Sequence, residues 1–385
     1  MKTVRFRLSA MMFFQYAVWG GWTTVGAAYF QALGFSDPMI SWLFAALWLA
    51  CILSPFLGGQ IADRYFPTQN FLAAAHLIGG LLLLLMAAER SFGSMMTWMA
   101  IYCFLYAPTL ALTNSICFHH LQNANQEFGR IRVWGTIGWI AAGWVLSGWR
   151  AVSDFQVLGD LFYVAAFCSV ALGLLCFSLP HTPPRRGAES PLAFLEAFRM
   201  LRDRNFAIFM AIAFVVATEL QFYYVPTSIF LQDLGLSSHS VPAVMTLAQI
   251  AEIFAMWFLL PRLLGSVGIR WCLALGVVAW PLRYVIFAVG EPLWLVITSL
   301  AFHGIGFTFF FVTSQIYVDN ASSTDIRASA QSLLTLATLG AGNYLGTMFY
   351  GYIKVLLTHD GVTDWTQLFL VPCFLTAASA IAFLL

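Results

Sequence analysis

The chain has 385 residues, of which 61% are hydrophobic and only 9% charged, and its formal net charge is +1. A soluble domain carries roughly 25% charged residues, and a soluble fold of this size has no way to hide so much apolar surface, so a bilayer is the solvent that suits it. No basic face exists to neutralise phosphates, which excludes nucleic-acid binding, and no sizeable polar domain is present for a receptor.

The first apolar run, 8–32, follows Lys2, Arg5 and Arg7 but has no small-residue cleavage site after it, so it is expected to be a retained helix and not a signal peptide. Further runs lie at 39–62, 69–88, 94–117, 131–149, 161–180, 206–232, 240–264, 269–289, 292–318, 327–353 and 366–385. A spanning helix needs about 20 apolar residues, so the expected fold class is an all-α membrane protein with twelve transmembrane helices. The polar stretch 181–205 divides it into two six-helix halves, 1–180 and 206–385. Within that stretch Leu192, Leu195, Phe198 and Leu201 recur at helical spacing, as in an amphipathic helix lying on the membrane surface.

Lysine and arginine placement sets the orientation. With the N-terminus cytoplasmic, fourteen of the eighteen fall in inside segments, only Arg90, Arg150 and Lys354 in outside loops, and Arg283 inside a run. Both termini and the central loop are therefore expected inside. Two such halves related by an axis along the membrane normal are the pattern of secondary transporters with a midplane site between them. The seven cysteines form no CxxC pair and sit in or beside apolar runs, as packing residues do. Neither a metal nor a cofactor is expected.

Ionisable and polar residues inside the runs mark the candidate site, because a charge at membrane depth costs several kcal/mol unless it is paired, hydrated or neutralised. In the first run Gln15, Trp19 and Trp22 are polar or aromatic members, and His76 in the third reads as a satisfied core group. After the second run, Gly58-Gly59-Gln60-Ile61-Ala62-Asp63-Arg64 resembles the G-x-x-x-D-R loop motif of the major facilitator superfamily. In the fifth, Arg132, Thr136 and Trp139 share a face at i, i+4 and i+7. They offer a cation, a hydroxyl and a stacking surface, unless Arg132 only anchors the helix at the headgroups. Gln221 and Tyr224 share a face of the seventh run, with Glu219 turned away from them. Gln249 and Glu252 are i, i+3 neighbours in the eighth, where an amide beside a carboxylate offers a donor and acceptors, or else glues two helices together. Arg283 suits a structural counter-ion to Glu219 or to the ends of helices. His303, Phe307, Thr308 and Phe311 are spaced to share a face of the tenth. Glu252 is the expected proton-coupling group, since a buried carboxylate beside another polar residue can change protonation as the site opens and fills. No hydrolase triad, zinc helix or phosphate-cradling loop occurs, so no enzyme is expected.

Leu121-Gln122-Asn123-Ala124, Ile131-Arg132-Val133-Trp134-Gly135-Thr136-Ile137-Gly138, Glu219-Leu220-Gln221, Ile326-Arg327-Ala328-Ser329-Ala330-Gln331 and Gly361-Val362-Thr363-Asp364-Trp365 are similar to segments of the nucleoside:proton symporter family of the major facilitator superfamily. The resemblance runs from the first helix to the twelfth. It implies proton-driven nucleoside import across a bacterial inner membrane by a protein surrounded by lipid, expected to be a monomer. It also implies that Arg132, Thr136, Trp139, Gln221, Tyr224, Gln249, Glu252, His303, Phe307 and Thr308 bind the substrate. Of these, Trp139, Tyr224, His303 and Thr308 stand where family members carry a smaller aromatic, an asparagine, a tyrosine and an acidic residue. A sugar-like solute and a small aromatic acid are the alternative substrates.

Overall fold

The computed structural model describes residues 2–57, 66–121, 124–153, 159–183, 194–323 and 326–384. The Gly58–Arg64 motif and the Gln122-Asn123 pair lie outside these residues. The described chain is almost entirely helical. In order come α1 (Lys2–Ala32), α2 (Asp37–Leu57), α3 (Thr68–Ala88), α4 (Phe92–His120), α5 (Ala124–Val152) and α6 (Asp160–Cys176). They are followed by α7 (Arg204–Tyr224), α8 (Thr227–Asp233), α9 (Val241–Ser266), α10 (Gly268–Val289), α11 (Leu293–Ala321), α12 (327–356) and α13 (Trp365–Leu384). Seven of these, α3, α4, α7, α9, α10, α11 and α13, are long and apolar enough to cross a membrane, and Asp37–Leu53 and Asp160–Cys176 are shorter apolar helices. Large apolar side chains such as Phe167, Phe374, Trp294 and Trp271 point outward, a surface that suits lipid and not water.

Local chemistry explains the boundaries. The Asp203 carboxylate accepts from the Phe206 N–H at 2.8 Å and caps the start of α7. The run expected at 206–232 divides into α7 and α8 at Val225-Pro226, because proline has no N–H for the ladder. Gly290, with φ +75°, ends α10. Between α12 and α13 a two-residue hairpin pairs Thr358–His359 with Val362–Thr363, turning on Asp360 and Gly361, both at positive φ. Asp364 then caps α13 through the Gln367 N–H at 2.9 Å, and the Trp365 indole donates to Asp233 at 3.0 Å. That string of the sequence is thus a turn, a cap and a bolt to α8.

Leu192 of the expected amphipathic element lies outside the described residues. Within the described residues the element is one turn, Phe194–Ala197, followed by a tighter 3-10 turn, Phe198–Arg202, with Leu195 and Phe198 exposed. Three helices depart from α geometry through π turns: Ala255–Leu259 in α9, Phe307–Val312 in α11 and Leu336–Gly342 in α12. All seven cysteines are free thiols, six of them buried. The chain forms two compact units, one of Met1–Pro191 with Leu236–Ala243 and one of Leu192–Gly235 with Val244–Leu385. In the first, the Ala243 N–H donates to Ser147 of α5 at 2.9 Å, so the first turn of α9 is held within that unit.

Candidate functional site

In the first unit, α5 carries Arg132, Thr136 and Trp139. α5 packs along α1, and Gly138 sets how closely: a Cβ there would overlap the Phe13 carbonyl oxygen. Arg132 lies with its guanidinium carbon 3.9 Å from the Tyr16 ring centroid, a cation–π contact worth about 0.5–2 kcal/mol. Trp139 meets Trp19 edge-on at 5.6 Å, and Trp19 touches Trp48 and Tyr106. Thr136 is buried. Tyr16 was not among the expected ligands, although an aromatic pair at i, i+3 with Trp19 in α1 was there to suggest a shared surface.

The same unit holds a closed polar network around His76. The Gln15 amide donates to Thr109 at 2.8 Å, so its carbonyl faces His76 Nε2 at 2.9 Å. His76 Nδ1 lies 3.3 Å from the Ser169 hydroxyl, which also sits 2.8 Å from the His76 carbonyl. Tyr106 closes the group by donating to the backbone carbonyl of Gln15 at 2.7 Å. Each ring nitrogen has a partner, which fits the expected structural part of this histidine.

In the second unit, α9 and α11 touch backbone to backbone at Gly304, where a Cβ would overlap the Ala248 carbonyl oxygen and the Glu252 nitrogen. This contact sets Glu252 beside the π turn of α9 and Thr308 inside that of α11. The Thr308 hydroxyl donates to the Glu252 carbonyl at 3.3 Å. A π turn rotates the residues that follow it and is common where a side chain must be re-aimed. The Tyr224 hydroxyl lies 3.2 Å from His303 Nε2, joining α7 to α11. Tyr224 is also within electrostatic reach of Glu252. Phe307 packs beyond His303, with centroids 6.3 Å apart, and on Phe311 at 5.3 Å.

The buried amides of this unit are only half satisfied. Gln221, 0% exposed, has its carbonyl 3.2 Å from the Thr347 hydroxyl of α12, but its amide nitrogen has no partner. The Gln249 carbonyl oxygen and the Asn343 carbonyl oxygen likewise have none. Leaving such a group buried and unmet costs about 1–3 kcal/mol, and this unit holds three of them. Asn343 and Thr347 were missed as candidates. They are a polar pair at i, i+4 in the apolar run 327–353, the signal that singled out Gln249 and Glu252.

Glu219 lies apart from these amides, next to α10. The Tyr284 hydroxyl donates to its backbone carbonyl at 2.9 Å, while both carboxylate oxygens are buried without a partner. Arg283, expected as its counter-ion, instead points Nη1 at His303 Nδ1, 3.0 Å away. Among the described residues no cluster of metal ligands occurs.

Apolar helices that bury carboxylates, an arginine and amides, with an apolar outer surface, suit a membrane-embedded protein, and its relatives are transporters and not enzymes. The chain belongs to the nucleoside H+ symporter family, whose sequence profile matches residues 1–385. It is 34% identical to the putative nucleoside transporter YegT of Escherichia coli K12, across 100% of this chain and 94% of that protein. It is 31% identical to the nucleoside permease NupG of the same organism, across 99% and 95%. A crystal structure of nucleoside transporter NupG superposes with a TM-score of 0.86 at 30% identity, covering 99% of this chain and 98% of that one. The fold is therefore that of major facilitator-type carriers.

Proposed function

We propose that the protein is a proton-coupled importer of nucleosides that works by alternating access, with twelve spans in two six-helix halves, 1–180 and 206–385, joined by the loop 181–205. Both termini and that loop face the cytoplasm of a bacterial inner membrane, and the monomer is the working unit. The observation that carries the substrate class is the pair of buried, half-satisfied amides, Gln221 with a free N–H group and Gln249 with a free carbonyl oxygen, together with Glu252 and the Tyr224–His303 pair, in a chain whose relatives are named nucleoside permeases. Amides and a carboxylate suit base edges and ribose hydroxyls. Arg132 and Thr136 add a cation and a hydroxyl, Trp139 and Phe307 offer apolar faces to a planar base, and Thr308 braces Glu252. Glu252 carries the coupling proton.

Uridine or adenosine should raise the melting temperature of the purified protein, because a ligand that binds only the folded state stabilises it by mass action. Ribose and phenylpropionate should not. Stacking a base on an aromatic ring is worth about 1–3 kcal/mol, so Trp139→Ala should weaken nucleoside binding by roughly ten- to a hundredfold at 1.4 kcal/mol per decade. A response to a free sugar or an aromatic acid, and to no nucleoside, would reject the substrate class.

Topology has its own test. A reporter that is active only in the cytoplasm should be active when fused after Arg186, as the charge bias requires. Activity there of a reporter that works only when exported would overturn the orientation.

A further inference from the structure

Glu219 and Arg283 are both 0% exposed, and the proposed carrier mechanism leaves both unused. The Arg283 guanidinium is enclosed by rings, with its central carbon 4.4 Å from the Tyr223 centroid, 4.4 Å from Tyr284, 5.0 Å from Trp280 and 5.7 Å from Phe287. Arginine only donates, so the 3.0 Å contact from Nη1 means that His303 Nδ1 accepts. The His303 proton therefore sits on Nε2 and is given to the Tyr224 hydroxyl. Nε and Nη2 of Arg283 have no acceptor, and neither oxygen of Glu219 has a donor, although the two side chains are within electrostatic reach of each other. A buried cation and a buried carboxyl that have only the Tyr284 hydroxyl between them are costly, and well-packed apolar residues at both sites would avoid that cost.

We propose that Glu219 and Arg283 form an ion pair that is broken and remade in each transport cycle, with Arg283 exchanging His303 for the Glu219 carboxylate. This rests on the reading of the chain as a proton-coupled carrier. With a proton on Glu219, the guanidinium turns to His303, the arrangement seen here. When Glu219 gives its proton to water, the carboxylate draws Arg283 away, His303 Nδ1 loses its donor, and Tyr224 is no longer held through the ring. Tyr224 and His303 are both proposed substrate ligands, so the proton on Glu219 sets the geometry of the binding groups. The other titratable groups near this carboxyl are Tyr284 of α10 and Cys373 of α13, while Tyr223 of its own helix faces Arg283. On α12, Tyr350 packs on Phe222 and Lys354 lies over the Trp365 ring. Arg199 and Arg202 stand before the opposite end of α7.

The test is a double-mutant cycle on the full chain, read as melting temperature at pH 5.5 and pH 8.5 in wild type, Glu219→Gln, Arg283→Gln and the double variant. Arg283→Gln should cost more at pH 8.5 than at pH 5.5, by about 4 °C or more, because the pair exists only when the carboxylate is ionised. In the Glu219→Gln background that pH difference should vanish, and the double variant should melt above Arg283→Gln at pH 8.5. If Arg283→Gln does not fold, Arg283→Met, which removes the charge and keeps an unbranched apolar chain among the rings, takes its place in the cycle. Equal costs at both pH values in both backgrounds would overturn the pair, whatever the substrate. In proteoliposomes Glu219→Gln should lower uphill uridine accumulation at least about tenfold while counterflow stays within about twofold of wild type. Wild-type accumulation by Glu219→Gln would also overturn the pair, whereas failure of the wild type itself to take up uridine rejects the nucleoside reading and leaves the melting data to decide the pair.

Discussion

Glu252→Gln should abolish uphill nucleoside accumulation. A membrane potential of 100 mV is worth about 2.3 kcal/mol per proton, which sustains roughly 50-fold accumulation for one proton per substrate at 1.4 kcal/mol per decade. A neutral amide cannot take up or release that proton, so the variant should reach an internal-to-external ratio of about one. The amide keeps the shape of the carboxyl and leaves the Thr308 contact intact, because that bond is made to the backbone carbonyl of Glu252. Counterflow exchange, which needs no net proton movement, separates two tasks. If it survives, Glu252 only carries the proton; if it weakens, Glu252 also accepts from the substrate. Accumulation that is still pH-driven in the variant would move the coupling to another group, and Glu219 is the buried carboxyl placed for it.

Much of the fold was legible because a bilayer asks one simple thing of a sequence, about 20 apolar residues in a row. The runs at 69–88, 94–117 and 269–289 became α3, α4 and α10 with small changes at their ends. The break in the run at 206–232 was also written in the chain, as Pro226, but it was hidden by the apolar residues on either side. The π turns were not legible. They arise from a shift in backbone hydrogen bonding, and Ala255–Leu259 and Phe307–Val312 carry no residue type that marks such a shift.

Polar exceptions in apolar runs made half of the candidate site visible. Gln221, Gln249 and Glu252 stood out for that reason, and all three are buried. Asn343 and Thr347 carry the same signal in the run 327–353. Partners were harder to read than positions. Opposite charge suggested Arg283 for Glu219, but which acceptor a guanidinium takes depends on how α7, α10 and α11 come together, and here it takes His303. The same holds for Arg132, whose Tyr16 partner lies 116 residues earlier in the chain.

Gly304→Ala should damage both stability and transport more than any other single methyl group added to the second unit. The new Cβ would overlap the Ala248 carbonyl oxygen and press on the Glu252 nitrogen, and both are backbone atoms of α9 that cannot rotate aside. α9 and α11 must therefore move apart. Overpacking of this kind costs about 1–3 kcal/mol, which corresponds to a fall of roughly 2–12 °C in melting temperature at 2–4 °C per kcal/mol. Separation also pulls Thr308 from the Glu252 carbonyl and His303 from Tyr224, contacts at 3.3 and 3.2 Å that have no slack. Nucleoside stabilisation should accordingly be lost along with the melting temperature. Gly265→Ala, in the same helix α9, is the control: its Cβ would meet nothing within 4 Å, and alanine is a better helix former than glycine by about 0.8–1.0 kcal/mol. That variant should melt at or slightly above wild type and keep its uptake. A Gly304→Ala protein that melts with wild type and still binds uridine would mean that α9 and α11 do not meet at this glycine.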